Sequence, residues 1–299
     1  MVLPESARLP RMLGYIGWPL ALLFLWDIVV TLTYVYLPHP WLDLPALPLG
    51  LMGSALALFL GFRNNNAYNR WWEARTLWGA MVNTSRSYGR EVYHLIDKCQ
   101  ESDRLRSDLV RRQIAYVHAL RCHLRRQPNT EEIRDFLSDD ELQALRGVAN
   151  APNAILNETA ALLSMARRQG WIDSIRATQI ESSLVEMSNA QGGMERIKNT
   201  PLPREYDYYP TLFVHIFCIL LPIGLVDSLT IYTPLASTIV GFMLLAMDRI
   251  GADLQDPFEN RAHDVPLTSL CRTIQIDLEQ LNGDSRPTKP IRPVEHVLW

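Results

Sequence analysis

No constellation in this chain points to covalent chemistry, and the residues with the most suggestive spacing are apolar. Ser54, Leu58 and Phe62 recur every four residues, and so do Gly53, Ala57 and Gly61, one residue earlier in each step. On a helix the two sets form neighbouring rows. Small residues at that spacing let helices approach closely in a bilayer. If several copies of such a helix surround an axis, the small row packs against a neighbour and the other row faces the axis. Rings of Leu58 and Phe62 then make a narrow apolar constriction, of the kind that gates ions by dewetting. Ordinary helix packing without a lumen fits the same two rows.

Other candidates are sparse. His118 and Cys122 stand one helical turn apart, with His123 beside them, and could share a metal ion. No further ligand accompanies them, so a packed or solvated face is the more economical reading. Asp27 lies inside an apolar run, where a charge is expensive and commonly functional. It could line a vestibule, pair with another helix or carry a proton. His215, also within an apolar run, reads as a hydrogen-bonded packing residue. There is no glycine-rich phosphate loop, nucleophile elbow or H-E-x-x-H pair, which leaves an enzyme without a site.

The elements that position these residues follow from the distribution of charge. Of the 299 residues 20% are charged, an ordinary value for a soluble protein, but the charges are segregated. Asp, Glu, Lys and Arg are missing from Leu44–Phe62, Tyr208–Val226 and Ser228–Met247, and from Leu13–Leu37 apart from Asp27. A hydrocarbon core about 30 Å thick takes about 20 apolar residues in a helix, so the pattern predicts four spans. All 29 Lys and Arg residues avoid the two short connections, Pro38–Asp43 and Asp227, and translocated loops avoid these residues. Both termini and the long middle segment are therefore expected in the cytoplasm, with the protein in the inner membrane. Four cysteines without a C-x-x-C pair, three of them on the reducing side, predict free thiols. The net charge of −3 says little about partners.

The expected organisation is all-α: an N-terminal arm with spans one and two (1–66), a cytoplasmic helical region (67–205), spans three and four (206–250) and a cytoplasmic helix with a proline-rich tail (251–299). Span two continues without a breaker to Gly79 as one long helix leaving the bilayer. Thr130, followed by Glu131 and Glu132, opens a further helix. Pro152 starts the next, which Gly170 ends. Another helix is expected over Ile172–Arg196, and a last amphipathic one over Leu267–Leu281. The tail should be extended or disordered unless it wraps on a neighbour.

After Phe62 comes Arg63-Asn64-Asn65-Asn66-Ala67-Tyr68-Asn69-Arg70-Trp71-Trp72-Glu73-Ala74-Arg75. Three Trp by Trp78 and repeated Asn on one exit helix suit interfacial anchoring and interhelical hydrogen bonding. The segment also resembles the signature of the bestrophin family, above all its bacterial branch, in Arg63, Asn64, Asn66, Tyr68, Arg70, Trp71, Trp72, Glu73 and Arg75. Gln191–Ile197, Asn199–Pro203, Leu221–Asp227, Asp256–Asn260 and Asp264–Leu267 resemble further family segments, so the likeness spans most of the chain. It implies a symmetric homopentamer around a single pore, with a neck at Ser54, Leu58 and Phe62. Ser54 stands where the family usually has a bulky apolar residue, which leaves two apolar rings and wets or widens the outer neck. A second constriction in the cytoplasmic body falls to Ile175 or, one alternative register away, Ile180. Anions are the family default, and monovalent cations are the alternative in bacterial members.

The acidic calcium clasp of animal relatives has only scattered counterparts here, Asp253, Asp256, Glu259 and Asp264, so no calcium site and no cofactor are expected. The expected partners are further copies of the chain, lipid and permeating ions, and not nucleic acid. Two rival readings stay open: a secondary transporter, for which spans one–two and three–four show no inverted symmetry, and a membrane-anchored scaffold or sensor without a pore.

Overall fold

The computed structural model describes residues 9–37, 48–284, 287–294 and 296–299. The connection Pro38–Asp43, together with Arg8 and Pro45, lies outside the described residues. Among the described residues the secondary structure is helical, apart from an isolated bridge between Val294 and Val297. Two compact units divide the chain. A span unit comprises residues up to Trp71 together with Pro201–Asp256, and a helical body comprises Trp72–Thr200 together with Pro257–Trp299.

In the span unit, α1 (Leu9–Tyr36), the first half of α2 (Leu49–Leu95), α8 (Arg204–Leu229) and α9 (Thr233–Leu254) pack together. Their shared core is aliphatic and aromatic: Leu23 from α1, Leu56 and Leu60 from α2, Val214 and Phe217 from α8, Leu244 and Leu245 from α9. The helix α2 is 47 residues long, roughly 70 Å at 1.5 Å per residue. It runs past the expected Gly79 because neither proline nor a positive-φ residue interrupts it before Leu95. Span three likewise extends beyond the expected turn at Asp227. Asp227 occupies the last turn of α8, where its Oδ1 accepts from the Tyr34 hydroxyl at 2.8 Å. The chain reverses instead at Thr230, at φ 45°, through the 3₁₀ turn Thr230–Tyr232.

In the body, α3 (Gln100–Leu124) packs on α6 (Ala151–Arg168) and α10 (Leu267–Leu281). Trp78, Tyr88, Tyr116, Leu120 and Phe258 are fully buried. The helix expected to open at Thr130 is only one turn, α4 (Thr130–Ile133). A second short helix, α5 (Asp139–Ala144), restarts where Glu141 Oε2 accepts from the Ser138 amide at 2.7 Å. Pro152 sits in the first turn of α6, and Gly170 takes φ 75° just beyond its end, as a helix stop requires. Asp173 caps α7 (Ser174–Asn199) by accepting from the amides of Ile175 and Arg176 at 2.8 and 2.9 Å. The described part of the tail folds back on α10. Glu279 accepts from the Thr288 amide at 2.6 Å, and the Ser269 amide donates to the Trp299 carbonyl at 2.6 Å.

Candidate functional site: the two faces of the second helix

The upper half of α2 has one buried and one open side. Leu56, Leu60, Arg63 and Ala67 are buried against α8 and α9, whereas Ser54, Leu58 and Phe62 are exposed. Leu58 is 60% and Phe62 57% accessible, and Leu51 and Phe59 of the same helix are exposed as well. The Ser54 hydroxyl donates to the Gly50 carbonyl at 2.7 Å, so its proton is used within the helix and an oxygen is presented outward.

The small row does not act as one unit. A side chain at Gly53 would meet the Phe217 ring at 3.2 Å, so Gly53 serves contact with α8 of the same chain, while Ala57 and Gly61 are open.

The motif after Phe62 divides between structural anchors and exposed groups. Arg63 is only 2% exposed and ties three helices together. Its guanidinium pairs with Asp207 of α8 at 2.5 Å and with Asp248 of α9, and Thr211 Oγ1 donates to Asp248 Oδ1 at 2.8 Å. A buried guanidinium of this kind is tolerable because two carboxylates share its donors. Asn64 donates to the Met247 carbonyl at 2.9 Å, and Arg70 donates from Nε to the Gln255 carbonyl at 2.9 Å. Gly251 of α9 faces Asn64 so closely that a Cβ would lie 2.3 Å from Asn64 Oδ1. Tyr68 stacks on Trp71 at 6.4 Å between centroids, and Trp72 and Asn66 are exposed. Glu73 pairs with Arg196, and the Arg75 side chain lies along Gly79.

Sequence reasoning leaves out Asp207, Thr211 and Asp248. The available signal is that spans three and four each carry an acidic residue at the end where span two carries Arg63. It also leaves out the partners of Asp27. That carboxylate is fully buried and accepts from Ser237 Oγ and Thr238 Oγ1 of α9, both at 3.0 Å. Of the three roles open to Asp27, pairing with another span is the one the structure displays. His215 donates from Nδ1 to the Thr211 carbonyl at 2.7 Å.

The two aperture candidates separate. Ile175, in the first turn of α7, is 85% exposed, whereas Ile180 is 1% exposed. Ile180 lies in the core of its own chain, whereas Ile175 presents an open surface.

The His118–Cys122 pair is packing. His118 stacks on Phe136 at 5.8 Å and contacts Gln275 Oε1 through Nε2 at 3.1 Å. Gln275 Nε2 donates to Glu279 at 2.6 Å, so Oε1 is the acceptor and His118 is the Nε2–H tautomer. Burial, with the nearby Arg121 charge second, pushes the imidazole down to about 4, so it is neutral. Cys271 donates to the Val117 carbonyl at 3.2 Å, and burial pushes its thiol up to about 12. All four cysteines are free. No group of three or more metal-capable side chains occurs among the described residues.

Long apolar helices with bulky side chains outside and their few charges paired within define a helical membrane protein. Comparison narrows the class. The chain matches the family described as Bacterial/Fungal Bestrophin protein over residues 9–280. It is 37% identical over 265 residues to the voltage-dependent anion channel-forming protein YneE of Salmonella typhi, covering 89% of this chain and 86% of that one. It is 35% identical over 284 residues to YneE of Escherichia coli K12, covering 95% and 92%. Among solved structures it is similar to the crystal structure of a bacterial bestrophin homolog from Klebsiella pneumoniae, with a TM-score of 0.85 and 29% identity over 91% of this chain and 100% of that one. The chain belongs to the bacterial/fungal bestrophin family.

Proposed function

We propose that this chain forms a pentameric anion channel of the inner membrane, with α2 from each copy lining a central pore. The observation that carries the reading is the exposed Leu58–Phe62 row on a helix whose opposite side is buried. A bulky apolar row left open by its own protomer fits a constriction made by several copies. The names of the relatives, voltage-dependent anion channel-forming proteins, support anions as the permeating species. Four spans, α1, the first half of α2, α8 and α9, cross the bilayer with both termini in the cytoplasm, as the Lys and Arg distribution favours. The segments 67–205 and 251–299 then form the cytoplasmic region. Leu58 and Phe62 supply two apolar rings, Ser54 a wetter outer ring, and Ile175 the second constriction.

The test is the reversal potential of the purified protein in planar bilayers under asymmetric NaCl. A shift toward the chloride equilibrium potential is expected. A shift toward the sodium potential would make the channel cation-selective. Replacing Leu58 with Ala widens one of the two apolar rings, and currents are expected to rise several-fold, on the order of the effect of removing a dewetting barrier of about 1 kcal/mol. Unchanged currents in Leu58→Ala would remove Leu58 from the neck. Silence in both proteins, as folded oligomers, would favour a scaffold without a pore.

A further inference from the structure

The open line of α2 that carries Leu58 continues past Phe62. At about 100° per residue, Asn65 and Asn69 each fall within about 20° of the Leu58 direction around the helix, with Asn65 about 4.5 Å and Asn69 about 10 Å further along the axis than Phe62. Both are exposed, and neither donates a hydrogen bond to another described residue, whereas the adjacent Asn64 points inward and donates to Met247. The run of asparagines is thus used in two ways. Asn64 ties α2 to α9, and Asn65 and Asn69 stand on the line of the apolar row at its inner end.

An ion entering an apolar ring gives up part of its hydration, and removing a charge from water is costly unless other polar groups replace the water. A side-chain amide carries two N–H donors and one carbonyl acceptor, so a ring of amides can solvate either sign of ion. Being neutral, it does not hold the ion as a fixed counter-charge would, and conduction needs sites that ions also leave. No charged side chain stands at positions 54, 58 or 62, so discrimination between anion and cation must come from groups beside the neck.

We propose that Asn65 and Asn69 form amide collars at the inner mouth of the neck that replace lost hydration, and that they set unitary conductance and the anion-to-cation permeability ratio. This assignment rests on the reading of Leu58 and Phe62 as pore-lining. Exposed asparagines could instead bond between neighbouring copies, and the experiment separates the two.

The full-length protein is reconstituted in planar bilayers with NaCl, as wild type and in a Leu58→Ala background, with Asn65→Asp, Asn69→Asp and Asn69→Leu introduced in turn. Each aspartate is expected to lower the chloride-to-sodium permeability ratio by roughly threefold or more. Asn69→Leu is expected to cut unitary conductance by about half or more, with the oligomer intact by size-exclusion chromatography. Asn66→Asp, about 80° away from the Leu58 direction, is expected to change the ratio much less. If the aspartate variants keep ratio and conductance while Leu58→Ala enlarges the current, the pore stands and the collar falls. Loss of the oligomer in Asn69→Leu, with normal permeation in Asn69→Asp, also overturns the collar and makes these residues intersubunit contacts. Should Leu58→Ala be silent and Asn69→Cys resist a water-borne thiol reagent, the pore reading itself fails and takes the collar with it.

Discussion

The span unit and the body are built with opposite sides facing out. In the span unit Trp18, Leu22, Leu25, Leu51, Leu58 and Phe62 are exposed, while Asp27, Arg63, Thr233 and Ser237 are buried. In the body Trp78, Tyr88, Tyr116 and Phe258 are buried, and the exposed positions of α7 are mainly polar, with Ile175 and Val185 the large apolar exceptions. The body follows the rule for water, where burying an apolar side chain contributes about 1.5–3 kcal/mol. In the span unit lipid offers little such gain, so association depends on packing and on polar groups bonded between helices. Buried charges should therefore contribute differently in the two units, and single substitutions can measure that difference.

The largest effect is expected at Arg63. Arg63→Leu leaves Asp248, mostly buried, and Asp207, half-open, without their cation. Breaking a buried pair from one side costs about 3–5 kcal/mol. The expected outcome is a large fall in thermal unfolding temperature and in recovered oligomer. Adding Asp248→Asn should recover part of the loss, because it removes the orphaned charge. Strict additivity of the two losses would instead show that the pairs seen between α2, α8 and α9 are not coupled.

A smaller effect is expected at Asp27, whose partners are hydroxyls and not cations. Asp27→Leu removes both acceptors, but Ser237 and Thr238 can turn to carbonyls of their own helix. Interhelical hydrogen bonds in bilayers contribute about 0.6–2 kcal/mol, so Asp27→Leu should destabilise by that order, and Asp27→Asn, which keeps an acceptor, by less. Thermal unfolding in detergent distinguishes these cases. A loss in Asp27→Asn as large as that in Arg63→Leu would contradict the division between hydroxyl-satisfied and cation-satisfied charges.

The parts of this design that were legible in the sequence are those governed by one segment at a time. Charge-free runs marked apolar helices, the absence of proline carried α2 as far as Gly79, and Pro152, Gly170 and Leu267–Leu281 marked helix limits. The four-residue row at Ser54, Leu58 and Phe62 could be read because helical periodicity alone places it on one side. What could not be read depends on packing between segments. Nothing local to Arg63 names Asp207 and Asp248 as partners, and nothing near Asp27 names Ser237 and Thr238. The choice between Ile175 and Ile180 required knowing which side of α7 meets the body's core. The turn at Thr230 was hidden for a different reason: Asp227 looks like a loop residue, yet it is held in the helix by Tyr34.

His118 tests the body's side of the comparison, where a polar group is buried in its neutral form. Its imidazole is pushed down to about 4 from an ordinary 6.5, chiefly by burial and next by Arg121, partly offset by the Gln275 hydrogen bond and by Glu132, with Arg272 adding a smaller opposition to protonation. The unfolded chain therefore binds a proton at His118 between about pH 6.5 and pH 4 that the folded chain does not. Stability from this residue is complete above pH 6.5 and is lost as the pH falls through that window, at up to about 1.4 kcal/mol per unit. In His118→Leu the Gln275 carbonyl loses its donor, an expected cost of about 1–3 kcal/mol at neutral pH. Unfolding midpoints of wild type and variant should then converge as the pH is lowered from 6.5 to 4. Parallel curves would mean that His118 is protonated in the fold, and that the body accepts a buried charge as the span unit does at Arg63.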